Sequence, residues 1–298
     1  MNSLELIGDK DWIADIFETL DVSEASRKDY QARIWHFLNF IKKEGLNSNS
    51  FLYYKRHLES RNDFSVSTKN KYLAVSRIFL KELVRRGYVP VDITLNIKSF
   101  QQSKKHKKEG ISEDEMQVIA HSLVEESSTL ELIRIKAIIS LLALQGLRQI
   151  EVTRLDIADL ELHRGVLFVH GKGRDYKEAV YLQPQTVEAL KIYTRSHKVA
   201  DGALFVSHSN NSLNNRISTR SVRQIVQDYL VELGIQKNIH GFRHYFTTRL
   251  IKIYKSDLTE VARYTRHRSL ETLQAYNDAV LAEEDLPRFY GAFSNVQL

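Results

Sequence analysis

From residue 12 onward, apolar residues recur every three to four positions, the period of a helix with one buried face. In "DWIADIFETL" the stripe is Trp12, Ile13, Ile16, Phe17 and Leu20. "SEASRKDYQARIWHFLNFIKKEG" carries it through Tyr30, Ile34, Phe37, Leu38 and Ile41, with Ser23 placed to open the helix and Gly45 to end it. "NSFLYYKRHLESR" and "STKNKYLAVSRIFLKELVRRG" follow in the same pattern. Only 3 prolines and 12 glycines interrupt the chain, so residues 1–100 predict a small all-helical domain.

Periodicity lapses at "KSFQQSKKHKKEG", which is polar and basic, and residues 101–110 read as an interdomain linker. A second domain, 111–298, opens on a capping-box pattern at Ser112 and Glu115. Leu130–Leu147 is the most apolar stretch; Glu131, Arg134, Lys136 and Gln145 interrupt it, so it predicts a buried helix rather than a membrane span. Between Ile157 and Leu182 the pattern turns to β, with turns at His163–Gly165 and Gly171–Asp175. That predicts a three-stranded antiparallel sheet with Lys172 at a hairpin tip. Helices then return to the end. The fold class expected is mainly α: a helical domain, then an α+β domain with one small sheet.

Composition narrows the partners. At 298 residues the chain suits two domains, and its formal charge of +6 favours a polyanion. The absence of cysteine excludes disulfides and thiolate metal sites. Glu5, Asp9, Lys10 and Asp11 stand where a signal peptide needs an apolar core, so a cytoplasmic location is expected.

Candidate chemistry gathers late in the chain. His240 and Arg243 lie three apart, on one helical face, where both can address one anion. His267 follows, and Tyr276 comes nine residues after it on a helix opened by Ser269. A phenol near imidazoles and guanidiniums suggests a tyrosine nucleophile for a phosphodiester, with Tyr264 and Tyr290 as rivals. Upstream, "LLALQGLRQIEVTRL" brings Arg148 and Glu151, and "VHGKGRDYKEAVYL" brings Lys172. Arg148 is equally read, on its own, as an ion-pair partner of Glu151 or Asp156. Two guanidiniums suit the charge that grows on nonbridging oxygens, and a turn lysine suits protonation of a leaving 5' oxygen, a role open also to Lys177. Histidine suits phosphate contact or proton transfer. His244 and His170 adjoin these motifs and read as structural. No acidic cluster suited to Mg²⁺ appears near them, so neither metal nor cofactor is expected.

In this order and spacing, the residues resemble the tyrosine recombinases, the site-specific DNA recombinases that include lambda-type integrases and Xer proteins. The resemblance spans almost the whole chain. It implies catalysis by Arg148, Lys172, His240, Arg243, His267 and the nucleophile Tyr276, with Glu151 in support, and a 3'-phosphotyrosyl intermediate. It implies that residues 1–100 form a SAM-like core-binding domain that grips DNA. The candidate contacts are Arg27, Lys28, Lys69, Lys71 and Arg77, with Arg33 on the same polar faces, together with linker residues Lys104, Lys105, Lys107 and Lys108. The implied partners are a double-stranded recombination site and a homo-tetramer on two such sites, or a homologous recombinase in a mixed assembly, with exchange through a Holliday junction and no membrane. The tail is expected to start a new helix at Pro287, with Leu286, Phe289, Tyr290 and Phe293 on a stripe that docks on a neighbouring subunit. One departure stands out: the family usually has Leu-Gly before the last histidine, and here Thr265 and Arg266 precede His267. A type IB topoisomerase and a catalytically silent DNA-binding protein are the rival readings.

Overall fold

Serine side chains open the long helices of the amino-terminal unit. Ser23 Oγ accepts the amide of Ser26, and Ser65 Oγ that of Thr68, each satisfying a donor the helix leaves unpaired. The computed structural model describes residues 10–102, 110–125, 129–171, 176–197, 201–208, 214–267 and 269–291. The chain divides into two units, Met1–Ser103 and Lys104–Leu298.

The first unit contains α1 (Lys10–Glu18), α2 (Glu24–Glu44), α3 (Ser50–Ser60) and α4 (Val66–Arg85). Their apolar stripes meet in one core that includes Ile16, Phe17, Phe37, Phe51, Leu73 and Phe79, all fully buried. α2 ends at Gly45, whose φ of 79° suits glycine.

In the second unit, α5 (Glu113–Glu125) is preceded by a reciprocal cap: Glu115 N donates to Ser112 Oγ at 3.1 Å, and Ser112 N to Glu115 Oε2 at 2.8 Å. The buried helix α6 (Leu130–Leu144) stops at Gly146, and α7 (Gln149–Thr153) begins just beyond. Gly146 has φ of 60°, and a Cβ there would meet Phe246 Cδ1 at 2.2 Å, so only glycine fits this turn. A three-stranded antiparallel sheet follows: β1 (Leu160–Glu161), β2 (Val166–His170) and β3 (Lys177–Tyr181), in that order. Leu160 pairs with Leu167 and Val166 with Tyr181. Lys172 lies outside the described residues. α8 (Pro184–His197) and α9 (Thr219–Glu232) complete the main core with α6.

The last three helices are α10 (His240–Ile253), α11 (Leu258–Thr265) and α12 (Leu270–Gly291). They close a smaller core of Ile251, Val261, Leu273, Tyr276 and Val280. The tail corrects one expectation. Pro287 does not begin a new helix; it lies inside α12, which runs unbroken from Leu270 to Gly291. Proline removes a single amide donor, and this exposed last turn tolerates that loss four residues before its end. Phe293 lies outside the described residues.

Candidate active site

The α6–α7 turn sets Arg148 at the start of α7, and Glu151, one turn on, holds it there. Arg148 N donates to Glu151 Oε2 at 2.8 Å and its Nη1 to Oε1 at 3.0 Å. Of the two partners weighed for Arg148, Glu151 is therefore the one it pairs with; Asp156 pairs with Arg216. The Glu151 carboxylate is 1% exposed. Burial pushes its pKa up, but Arg266 and Arg148 outweigh that and hold it below the usual range.

Arg243 points from the first turn of α10 into the interior and is 3% exposed. Its Nη1 donates to the Gly146 carbonyl and its Nη2 to the Thr265 carbonyl at 2.6 Å. It thereby ties the turn bearing Arg148 to the end of α11. Burial, with Arg148 and Arg266 close by, brings its pKa down to about 9, as expected of a cation with too little counter-charge.

His267 follows α11. Its Nδ1 is 2.7 Å from Thr265 Oγ1 and its Nε2 3.4 Å from Arg243 Nη2. Burial and then the guanidiniums of Arg243, Arg148 and Arg266 depress the imidazole to about 3, which leaves it neutral at pH 7. Tyr276 is buried on α12, with its ring centroid 6.2 Å from that of His267 and 4.8 Å from that of His244. Burial raises its pKa, and Arg243 and Arg148 pull it back. His240 is exposed at the first residue of α10, close enough to His267 to contribute to its lowered pKa.

Arg148, Glu151, Arg243, His267 and Tyr276 thus converge, with His240 at the rim. The rival tyrosines do not: Tyr264 packs on Tyr254, and Tyr290 is exposed near the end of α12. Lys177, the alternative acid, is ion-paired with buried Asp159. Two contributors escaped the sequence. Arg266 is 8% exposed at its side chain and donates to Glu151 Oε2 at 2.8 Å. His244, read as structural, lies against the Tyr276 ring. For Arg266 the signal was the departure itself, an arginine where the family usually has glycine.

Among the candidate DNA contacts, several heads are engaged within their own unit. Arg27 donates to the Phe17 and Leu20 carbonyls, Lys69 to that of Glu59 and Arg77 to that of Ile97. Lys28 pairs with Glu24 on the surface, Arg33 pairs with Asp29, and Lys71 is exposed. Lys104, Lys105, Lys107 and Lys108 lie outside the described residues.

Residues 110–282 match the model of the phage integrase family. The chain belongs to that family. Tyrosine recombinase XerC of Lactobacillus delbrueckii subsp. bulgaricus is 30% identical over 219 residues, which cover 70% of this chain and 71% of that one. XerC of Thermodesulfovibrio yellowstonii is 27% identical over 283 residues, covering 83% and 91%. Among solved integrase-family structures, the XerH recombinase bound to palindromic difH substrate superimposes with a TM-score of 0.70 at 20% identity, covering 91% of this chain and 79% of that one. A lambda integrase bound to DNA gives 0.70 at 13% identity, covering 96% and 99%. These superpositions establish a shared integrase fold: mainly α, with the small antiparallel sheet.

Proposed function

We propose that this protein is a site-specific DNA recombinase that cuts by transesterification, with Tyr276 as nucleophile. The observation that carries the reading is a charge imbalance beside a buried phenol. Beside Tyr276, three guanidiniums, those of Arg148, Arg243 and Arg266, face the buried carboxylate of Glu151. Such a cluster favours an anion at its open side, and a phosphodiester brings one.

In this reading Arg148, one-third exposed at its side chain, reaches the nonbridging oxygens, and Arg243 supports them from below. His240 contacts the phosphate from the rim. Lys172 protonates the leaving 5' oxygen. The Tyr276 oxygen bonds to phosphorus as the bond to the 5' oxygen breaks, and the 3'-phosphotyrosyl link conserves the energy needed for religation. Family membership and the XerC relatives support recombination as the outcome.

Lambda integrase has been solved as a tetramer bound to a Holliday junction, on a fold this chain matches with a TM-score of 0.66. We infer the same for this chain: four subunits on two double-stranded sites, with exchange through a junction. Residues 1–100 act as the core-binding domain, and residues 101–110 link it to the catalytic domain, 111–298. The end of α12, with Leu286, Phe289 and Tyr290 exposed, docks on the neighbouring subunit.

A duplex carrying the protein's own site, recovered by selection from a random pool and nicked beside the cleavage point, tests the nucleophile. Wild type accumulates a covalent adduct, and Tyr276→Phe binds equally well and forms none. A normal adduct yield from the Phe variant rules Tyr276 out.

A further inference from the structure

α6 carries a buried cation that the catalytic cluster does not use. Arg134 stands in its second turn and is 5% exposed; from there to Leu144, where the chain turns towards Arg148, the helix rises about 15 Å. Its hydrogen bonding is thin for a guanidinium, which has five donors. Nη1 donates to the Val206 carbonyl at 3.4 Å, and Nη2 lies 3.8 Å from Glu131 Oε1, on a side chain that is 69% exposed. Nε has no partner among the described residues. Burial lowers the Arg134 pKa, against the smaller opposing pull of Tyr193 and Glu131.

Arg134 lines a cavity of about 390 Å³, together with Glu131, Ser207, His208, Ser221 and Ile225. Groups from three parts of the chain meet there. Arg134 comes from α6. His208 comes from the segment before α9, and its Nε2 is buried with no partner among the described residues. Ser221 stands in the first turn of α9, at the positive end of a 14-residue helix. Burial, and after it Arg134 and His197, push His208 down to about 4, as a place short of negative charge does. Among these lining residues only Glu131 is acidic, and it lies too far from Arg134 to hydrogen-bond. We propose that this cavity is a phosphate site separate from the catalytic cluster, in which Arg134, His208 and Ser221 hold the oxyanion. A guanidinium pairs with two oxygens of a phosphate, and a tetrahedral group leaves others for donors arriving from a second helix and a loop. The same chemistry recognises a backbone phosphate of bound duplex and free phosphate.

The test uses full-length protein labelled with ¹⁵N-histidine, its His208 signals identified by their loss in His208→Gln. Inorganic phosphate is added at constant pH and ionic strength, with chloride as the control. Phosphate moves the His208 signals to saturation, and chloride does not. Arg134→Gln weakens the phosphate response by about 10-fold or more, the loss expected for a hydrogen bond to a charged group. Arg134 is buried, so a surface variant guards against a failure to fold. Ser221→Asp places an acid where a helix start favours one, and its carboxylate occupies the site, so phosphate no longer moves His208. A duplex carrying one half of the selected site then separates the two sources. If the backbone supplies the phosphate, the duplex moves His208 and either variant lowers the salt slope of binding by about 0.9. A duplex that changes neither assigns the site to free phosphate. His208 signals that phosphate leaves in place, or that chloride moves equally, overturn the proposal, as does a phosphate response that survives Ser221→Asp in full. The spectra need no cleavage, so they stand apart from the fate of Tyr276→Phe.

Discussion

The guanidinium of Arg266 donates at 2.8 Å to the carboxylate of Glu151, 115 residues earlier, from a backbone conformation that glycine adopts more readily. Two opposed effects meet there. The left-handed conformation costs a non-glycine residue about 1 kcal/mol, whereas breaking a buried ion pair costs about 3–5 kcal/mol when it strands a charge. Arg148 still faces Glu151, so the loss falls below that range, but the pair outweighs the strain. Arg266→Gly is therefore expected to be less stable than wild type, and Arg266→Ala less stable again by about 1 kcal/mol, because it loses the pair and keeps the strain. Denaturant unfolding of the three proteins checks the order; a glycine variant more stable than wild type refutes it.

Transition-state charge and leaving-group protonation separate in a second experiment. Arg148→Ala and Arg243→Ala each lower cleavage by on the order of 10²-fold or more, as expected for a lost transition-state donor. Lys172→Ala is also slow on an ordinary site. With sulfur in place of the leaving 5' oxygen no proton is needed, so this substrate rescues Lys172→Ala but not Arg148→Ala. Failure of both on the sulfur substrate moves the acid to another residue. Cleavage proceeds in EDTA if the guanidiniums supply the positive charge; strict dependence on Mg²⁺ contradicts that.

Acidification probes two half-buried imidazoles. His267 is depressed from 6.5 to about 3 and His208 to about 4, in each case first by burial, so the folded state keeps both neutral. Between those values and 6.5 the unfolded chain binds more protons than the folded one. Their contribution to stability is complete above pH 6.5 and is lost as pH falls towards the folded values. From pH 7 to pH 5, above the range where most carboxylates titrate, wild type is expected to lose more unfolding free energy than His267→Gln. Urea titrations at the two pH values measure this, and equal losses sink it. His36 and His197, lowered in the same direction, remain in both proteins.

The end of α12 bears on assembly. Truncation after Ala282 keeps Val280 and the small core around Tyr276 but removes Leu286, Phe289 and Tyr290. The shortened protein is expected to bind one half-site normally, to lose cooperative filling of the second and to form no synaptic tetramer. Gel-shift and sedimentation measurements show this; assembly and recombination at full-length levels would mean the exposed stripe has no role between subunits.

What the sequence determined by itself was local. Apolar spacing set the helices, alternation set the small sheet, and Ser23, Gly45 and Ser112 marked helix ends, because caps and periodicity depend on residues within a few positions of one another. The resemblance to the tyrosine recombinases, carried by their order and spacing, singled out Arg148, Glu151, Arg243, His267 and Tyr276 as candidates. Only the tertiary structure decided what those groups do to one another. It joined Arg243 to the Gly146 carbonyl, 97 residues away, buried Tyr276 in the core of the last three helices, and brought Arg266 to Glu151. The sequence showed Arg266 as a missing glycine; the fold turned that loss into a third guanidinium at the site. It also carried α12 through Pro287, where the local signal predicted a start, because an exposed last turn gives up one amide hydrogen bond at little cost. Charge balance and burial depend on atoms far apart in the chain, and no local pattern encodes them.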